Sequence, residues 1–249
     1  LRSSLVHRAP PPRSSADSSP TSTAPPFNFS AIIPLLCSSV RVKSLILTNP
    51  SNPLGTVLDR DTLANLLRFA DQHRIHLVCD EIYSATISGL PAFVSITGVL
   101  EEHPNICDRD LVDIVYNLSK VLGLPGFRVS IVYSYNDELV LYNQQMSSFW
   151  LVSSQTQCLL MSMLSDEEFM DAFMKESTRR LAERRMAFTA GLAKVGIRCL
   201  EGANVGLLLW TNLRPLLEEG TVDEETKLWR AIMEEVKLNL SLGSSFHCA

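Results

Sequence analysis

Three short apolar runs constrain this 249-residue chain most: Ser44-Leu45-Ile46-Leu47-Thr48, Ile75-His76-Leu77-Val78-Cys79 and Leu111-Val112-Asp113-Ile114-Val115-Tyr116. Each is too short to be a helix and is bounded by turn-forming residues, the pattern of a strand buried on both faces. Between the first two lies an amphipathic stretch beginning at Asp59 or Asp61, with Leu63, Leu66, Leu67 and Ala70 at i, i+3, i+4 and i+7. Gln72 to Arg74 close it. Strand, helix and strand of these lengths form a βαβ unit with parallel strands and a right-handed crossover. The strand ends then share one edge of an open α/β sheet, where such sheets bind ligands.

Each strand runs into residues that suit a ligand. The first enters Asn49-Pro50-Ser51-Asn52-Pro53-Leu54-Gly55-Thr56, whose two Asn-Pro pairs and glycine make a rigid, non-helical loop. Asn52 can donate an amide hydrogen bond to a ring oxygen from there; a plain turn is the alternative. The second strand ends in Asp80-Glu81-Ile82-Tyr83. Asp80 can hold a protonated ring nitrogen and Tyr83 can offer a phenol to the same ring. The alternative is a helix-capping acid beside a half-buried tyrosine. The third strand delivers Lys120 into a loop punctuated by Gly123, Pro125 and Gly126, with Arg128 at the start of a fourth run, Val129 to Ser134. A charged lysine is costly to bury at the mouth of an apolar strand, whereas a neutral amine is not and attacks carbonyl groups. Gly-Leu-Pro-Gly lets the backbone turn tightly beside a ligand, and Arg128 can clamp a phosphate. The alternative is a surface lysine in a loop.

The remainder sets the boundaries. A net charge of −5 gives no reason to expect nucleic acid or an anionic membrane as partner, and no apolar run is long enough to cross a bilayer. The six cysteines (37, 79, 107, 158, 199 and 248) show no C-x-x-C spacing, which points to a reducing, cytoplasmic setting without a zinc site. Residues 1–39 read as a disordered, Ser/Pro-rich leader, and the chain begins with Leu rather than Met, so it is expected to be a fragment. Pro91 to Glu102 reads as a short surface helix. Residues 136–164 are helical in tendency, interrupted at Ser153 to Gln157. A long helix over 166–195 ends at Gly196, followed by short strands over 197–200 and 206–210 and a helix over 223–236. The expected division is a partial large domain over 40–164 and part of a small α+β domain over 165–249.

Taken together, the motifs at 47–56, 76–83 and 118–128, with Met146-Ser147-Ser148-Phe149, Leu151 to Gln157 and Gly243 to Cys248, resemble the fold-type-I class I/II aminotransferase superfamily. Within it, the chain is most similar to the plant 1-aminocyclopropane-1-carboxylate synthases. The resemblance covers about residues 40–249 and implies a pyridoxal 5'-phosphate-dependent transferase fold, with a partial large domain and part of the small one. It implies that Lys120 holds the cofactor covalently and moves the substrate's Cα proton. It implies that Asp80 keeps the pyridine nitrogen protonated, that Asn52 and Tyr83 bond the ring hydroxyl oxygen, and that Arg128, Asn117 and Ser119 serve the cofactor phosphate. No metal is implied. The implied reaction converts S-adenosylmethionine to the cyclopropane amino acid that precedes ethylene, with loss of methylthioadenosine, in a homodimer. Transamination of an amino acid, or a truncated non-catalytic copy, are the competing readings.

The sequence departs from that pattern in places. Asn117 stands where the family usually has a phosphate-binding serine, Val121 where it has aspartate, and Ser130 and Trp150 where it has glycine. The resemblance also implies that the family's N-terminal half of the large domain and its carboxylate-binding arginine lie outside this chain, and that the sheet has exposed edges.

Overall fold

The structure, a computed structural model, describes residues 4–6, 41–205 and 207–246. Its centre is a five-stranded sheet: β1 (Ser4–Val6), β2 (Ser44–Thr48), β3 (His76–Asp80), β4 (Val112–Asn117) and β5 (Ser130–Ser134), in that spatial order. β1 to β4 are parallel, and β5 runs antiparallel to β4. The α/β expectation holds, and the first apolar run is a strand over the same residues as predicted. Ser4–Val6, within the stretch read as a leader, pairs with Ser44, Leu45 and Ile46 along the edge of β2. The edge of β2 offers N–H and C=O groups for that pairing. The other leader residues, 1–3 and 7–39, lie outside the described residues.

Helix α1 (Arg60–His73) starts where its acid can cap it. The Asp59 carboxylate accepts from Thr62 N at 2.7 Å, and Arg74 closes the helix in the left-handed region. Its predicted stripe is the core face: Leu63, Leu66 and Leu67 are fully buried with Leu45, Leu47, Leu77 and Val112. Each buried leucine contributes roughly 1.5–3 kcal/mol of transfer free energy.

The stretch expected as a surface helix is α2 (Ile96–Glu102), and it is only half a surface element. Ile96, Val99 and Leu100 are buried in the same core. It is held from below by Glu81, a buried carboxylate that accepts from Ser95 Oγ and Ile96 N, each at 3.0 Å. Burial raises the Glu81 carboxyl above its ordinary range, and those two donors oppose the rise. Glu81→Ala is expected to cost about 1–3 kcal/mol by orphaning the Ile96 amide, and Glu81→Gln to recover most of that loss. Urea unfolding of the three proteins measures it. Equal midpoints would remove Glu81 as an anchor.

β4 leads into a single turn, α3 (Leu118–Val121), and beyond β5 come α4 (Asp137–Ser147), α5 (Ser154–Leu164) and α6 (Glu167–Lys194). The polar stretch at 153–157 does not interrupt α5; it begins it. Ser153 Oγ accepts from Thr156 N, so the polar residues are a cap and first turn. After α6, β6 (Arg198–Cys199) pairs antiparallel with β7 (Thr211–Asn212), and α7 (Val222–Ala231) follows. The second of these strands lies later than 206–210, although Leu200 N still donates to Trp210 O at 2.8 Å. The α6 residues Met170 and Met174 pack on the cluster of Leu118, Val121, Leu122 and Leu160. Among the described residues no helix is long and apolar enough to cross a membrane.

Candidate active site

The register sets the site. Thr48 pairs with Asp80, Asp80 with Val115, and Asn117 with Ser130. The C-terminal ends of β2, β3 and β4 and the start of antiparallel β5 therefore share one sheet edge. Asn52, Asp80 with Tyr83, Lys120 and Arg128 all leave the sheet there.

The loop after β2 is closed on itself. Asn49 N donates to Asp80 O, Asn49 Oδ1 accepts from Leu58 N at 3.0 Å, and Ser51 N and Gly55 N donate to Thr56 O and Ser51 O, each at 2.8 Å. Asn49 and Pro50 are buried, while Asn52 sits exposed at the tip. Its Nδ2 donates to the Tyr83 hydroxyl at 3.4 Å, so the two predicted ring-oxygen ligands meet although 31 residues separate them. The Tyr83 ring is buried against Val57, Ile82 and Val205. Burial, and then Asp80, push its phenol above the ordinary value, which keeps it a protonated donor at neutral pH.

Asp80 accepts from Ile82 N at 3.2 Å through Oδ1. Burial raises its carboxyl above the usual range, with the Ile82 N–H pulling the other way. A cation placed against the second oxygen would offset that desolvation.

Lys120 rides on α3. Leu118, Val121 and Leu122 anchor that turn in an apolar cluster, and Leu118 N donates to Val129 O at 3.3 Å. The lysine itself is half-buried, with no hydrogen bond or ion pair to the described residues. The charge-burial argument made from sequence is therefore weaker than expected; what marks Lys120 is a fixed backbone under an uncommitted amine.

Asn117 caps the same turn: its Oδ1 accepts from Ser119 N at 2.8 Å. This takes the Ser119 amide out of use as an anion donor and leaves the Ser119 hydroxyl and the Asn117 Nδ2. Arg128 is exposed, in the left-handed region, and donates from one guanidinium nitrogen to Pro125 O at 3.2 Å, with its other N–H groups to spare. No direct bond links Lys120, Asp80 and Arg128 among the described residues.

A family model for class I and II aminotransferases matches residues 24–249. The chain belongs to that aminotransferase family. The tobacco 1-aminocyclopropane-1-carboxylate synthase is 61% identical over 211 residues, which is 85% of this chain and 43% of that protein. The mung bean synthase is 58% identical, over 84% of this chain and 57% of its own length. The chain thus spans about half the length of the curated relatives it matches. Among solved structures, the aspartate aminotransferase of Thermus thermophilus with maleate superposes at a TM-score of 0.71 and 21% identity, over 84% of this chain and 50% of that one. The aromatic aminotransferase of Pyrococcus horikoshii gives 0.69, 21%, 86% and 54%. These two share the aminotransferase fold.

Sequence reasoning passed over Glu81 and the segment Ala203 to Val205. The first carries only the signal of a second acid beside Asp80. The second carries none, being far along the chain from the loop it touches.

Proposed function

We propose that this chain carries the pyridoxal 5'-phosphate site of a 1-aminocyclopropane-1-carboxylate synthase. The observation that carries the reading is the identity to plant synthases along most of the chain, the relatives' names being matched here by a donor set of the right chemistry. That set is a carboxylate with one oxygen uncommitted, an amide–phenol pair, an unbonded lysine and an arginine with spare donors, all on one sheet edge. It fits a phosphorylated pyridine aldehyde.

When bound, the cofactor supplies an electron sink for charge left at the substrate's Cα. The protein's residues do the rest. The Lys120 amine attaches the cofactor and, once displaced by the substrate's amino group, takes the Cα proton. Asp80 holds a proton on the pyridine nitrogen. Tyr83 and Asn52 bond the ring oxygen and fix the ring plane. Arg128, Asn117 Nδ2 and Ser119 Oγ hold the phosphate. The substrate is S-adenosylmethionine, the products are the cyclopropane amino acid and methylthioadenosine, and the setting is ethylene formation, as in ripening fruit. The working form is a cytoplasmic homodimer, with 40–164 and 165–249 contributing the large-domain and small-domain parts.

The purified chain with pyridoxal phosphate is expected to show a visible band that borohydride removes, leaving the reduced cofactor's mass on Lys120. Chromatography then follows the fate of S-adenosylmethionine. Release of methylthioadenosine supports the synthase; amino transfer to an oxo acid without it replaces the synthase with an aminotransferase. Absence of any band withdraws the cofactor site from this chain.

A further inference from the structure

A knot of hydrogen bonds joins the C-terminal segment to the loops that carry Asn52 and Tyr83. Gly55 O, three residues after Asn52, accepts from both Asn204 N at 3.0 Å and Val205 N at 3.1 Å. Asn204 O accepts from Ser88 N at 2.9 Å and Ser88 Oγ at 3.1 Å, on the segment that leaves the Tyr83 turn. Asn204 Nδ2 donates to Pro91 O at 3.2 Å. Val205 is 1% exposed and packs with Tyr83, Ile82 and Val57. Arg185 on α6 bonds Ala203 O from the other side.

The contact at Gly55 leaves no room for a side chain. Gly55 has φ +69, and a Cβ built there would lie 2.6 Å from Val205 O. Both the backbone conformation and the close approach require glycine. Asn204 is 9% exposed, and its Oδ1 has no partner among the described residues. A buried amide with a stranded oxygen costs stability. Here its backbone and its other side-chain atom tie two loops together.

We propose that Asn204 is a positioning residue. Through Gly55, Ser88 and Pro91 it sets the separation of Asn52 and Tyr83, and so couples the segment after α6 to the groups that bond the ring oxygen; that last link rests on the function proposed above. A rigid pair is needed because Asn52 is exposed at the loop tip and its bond to Tyr83 is long. Among the described residues the Asn52 side chain makes no other hydrogen bond.

The test is hydrogen–deuterium exchange on the full chain, without cofactor, comparing parent, Asn204→Ala and Gly55→Ala. Asn204→Ala removes one bond, and Gly55→Ala forces the two backbones apart. Exchange across residues 51–58 and 83–91 is expected to quicken by about 3- to 10-fold in Asn204→Ala, with α1 and β3 unchanged. Gly55→Ala is expected to show the larger effect in the same segments. If Gly55→Ala does not fold, Asn204→Ala decides alone. Unchanged exchange in 51–58 and 83–91, or quickening that extends equally through α1 and β3, overturns the proposal. In the cofactor-loaded chain, the pH midpoint of the visible band is expected to shift in Asn204→Ala, since the ring oxygen's neighbours have moved; an unmoved midpoint also overturns it. A parent chain that takes no cofactor removes the function proposed above and leaves the exchange comparison to decide this one.

Discussion

Lys120→Ala is expected to abolish covalent capture of pyridoxal phosphate while leaving the fold in place. The two effects separate because of how the lysine is held. Its backbone belongs to α3, which is anchored by Leu118 and Val121 and capped by Asn117. Its side chain is half-buried and bonds to nothing described. Alanine is the best helix former, so the turn keeps its geometry and stability changes by no more than about 0.5 kcal/mol. The amine, however, has no substitute. Tyr83 and Arg128 carry no nucleophilic nitrogen that attacks an aldehyde at neutral pH. The expected result is no reducible visible band and no added mass after borohydride, with an unchanged melting temperature. Lys175→Ala, on α6, serves as the control that keeps both. A full band in Lys120→Ala would assign the attachment elsewhere.

Asp80→Asn is expected to separate function from stability in the opposite way. The carboxylate is a burden to the chain alone, because burial raises its pKa and among the described residues only the Ile82 amide bonds it. The sign follows from the direction of that shift. With a folded pKa above the unfolded one, the native state binds the extra proton, so stability falls as pH rises from the ordinary carboxylate range through the raised one. The Asn variant loses that dependence, keeps the acceptor for Ile82 N, and at pH 7 melts at or above the parent's temperature. Binding of a protonated pyridine should suffer. Breaking a buried charge pair costs roughly 3–5 kcal/mol, or about 150- to 5,000-fold in affinity or rate. A titration of pyridoxal phosphate into both proteins, with melting curves across pH 4–8, checks both halves. Equal affinity would remove Asp80 from the ring nitrogen, and a lower melting temperature would make it a structural acid.

Much of this site was legible because its parts are local. An apolar run of five residues flanked by turn formers has few options, and β2 occupies Ser44–Thr48 as read. A strand followed by Asp, or by a capped turn bearing a lysine, declares its end in the next few residues. Where the reading slipped, the deciding contact was nearby but misjudged. Polar Ser153 to Gln157 reads as a break until Ser153 is seen to cap α5. The helix after Pro91 reads as exposed until Glu81, 15 residues before Ile96, takes up its first amide. The three-residue β1 has no amphipathic pattern to announce it.

The parallel pairing of β2 with β3, their shared edge and the residue chemistry of Asn52, Asp80, Tyr83, Lys120 and Arg128 follow from patterns of period 2 and 3.6 and from turn chemistry, which act over a few residues. The meeting of Asn52 with Tyr83 and the knot of Gly55 with Asn204 and Val205 were decided only when the chain packed. Hydrogen bonds between groups tens to 150 residues apart depend on which surfaces are buried together, and loop closure over such distances leaves no local imprint. Burial also settles which polar atoms find partners: the spare oxygen of Asp80 and the uncommitted amine of Lys120 are properties of the folded edge, not of any stretch of sequence.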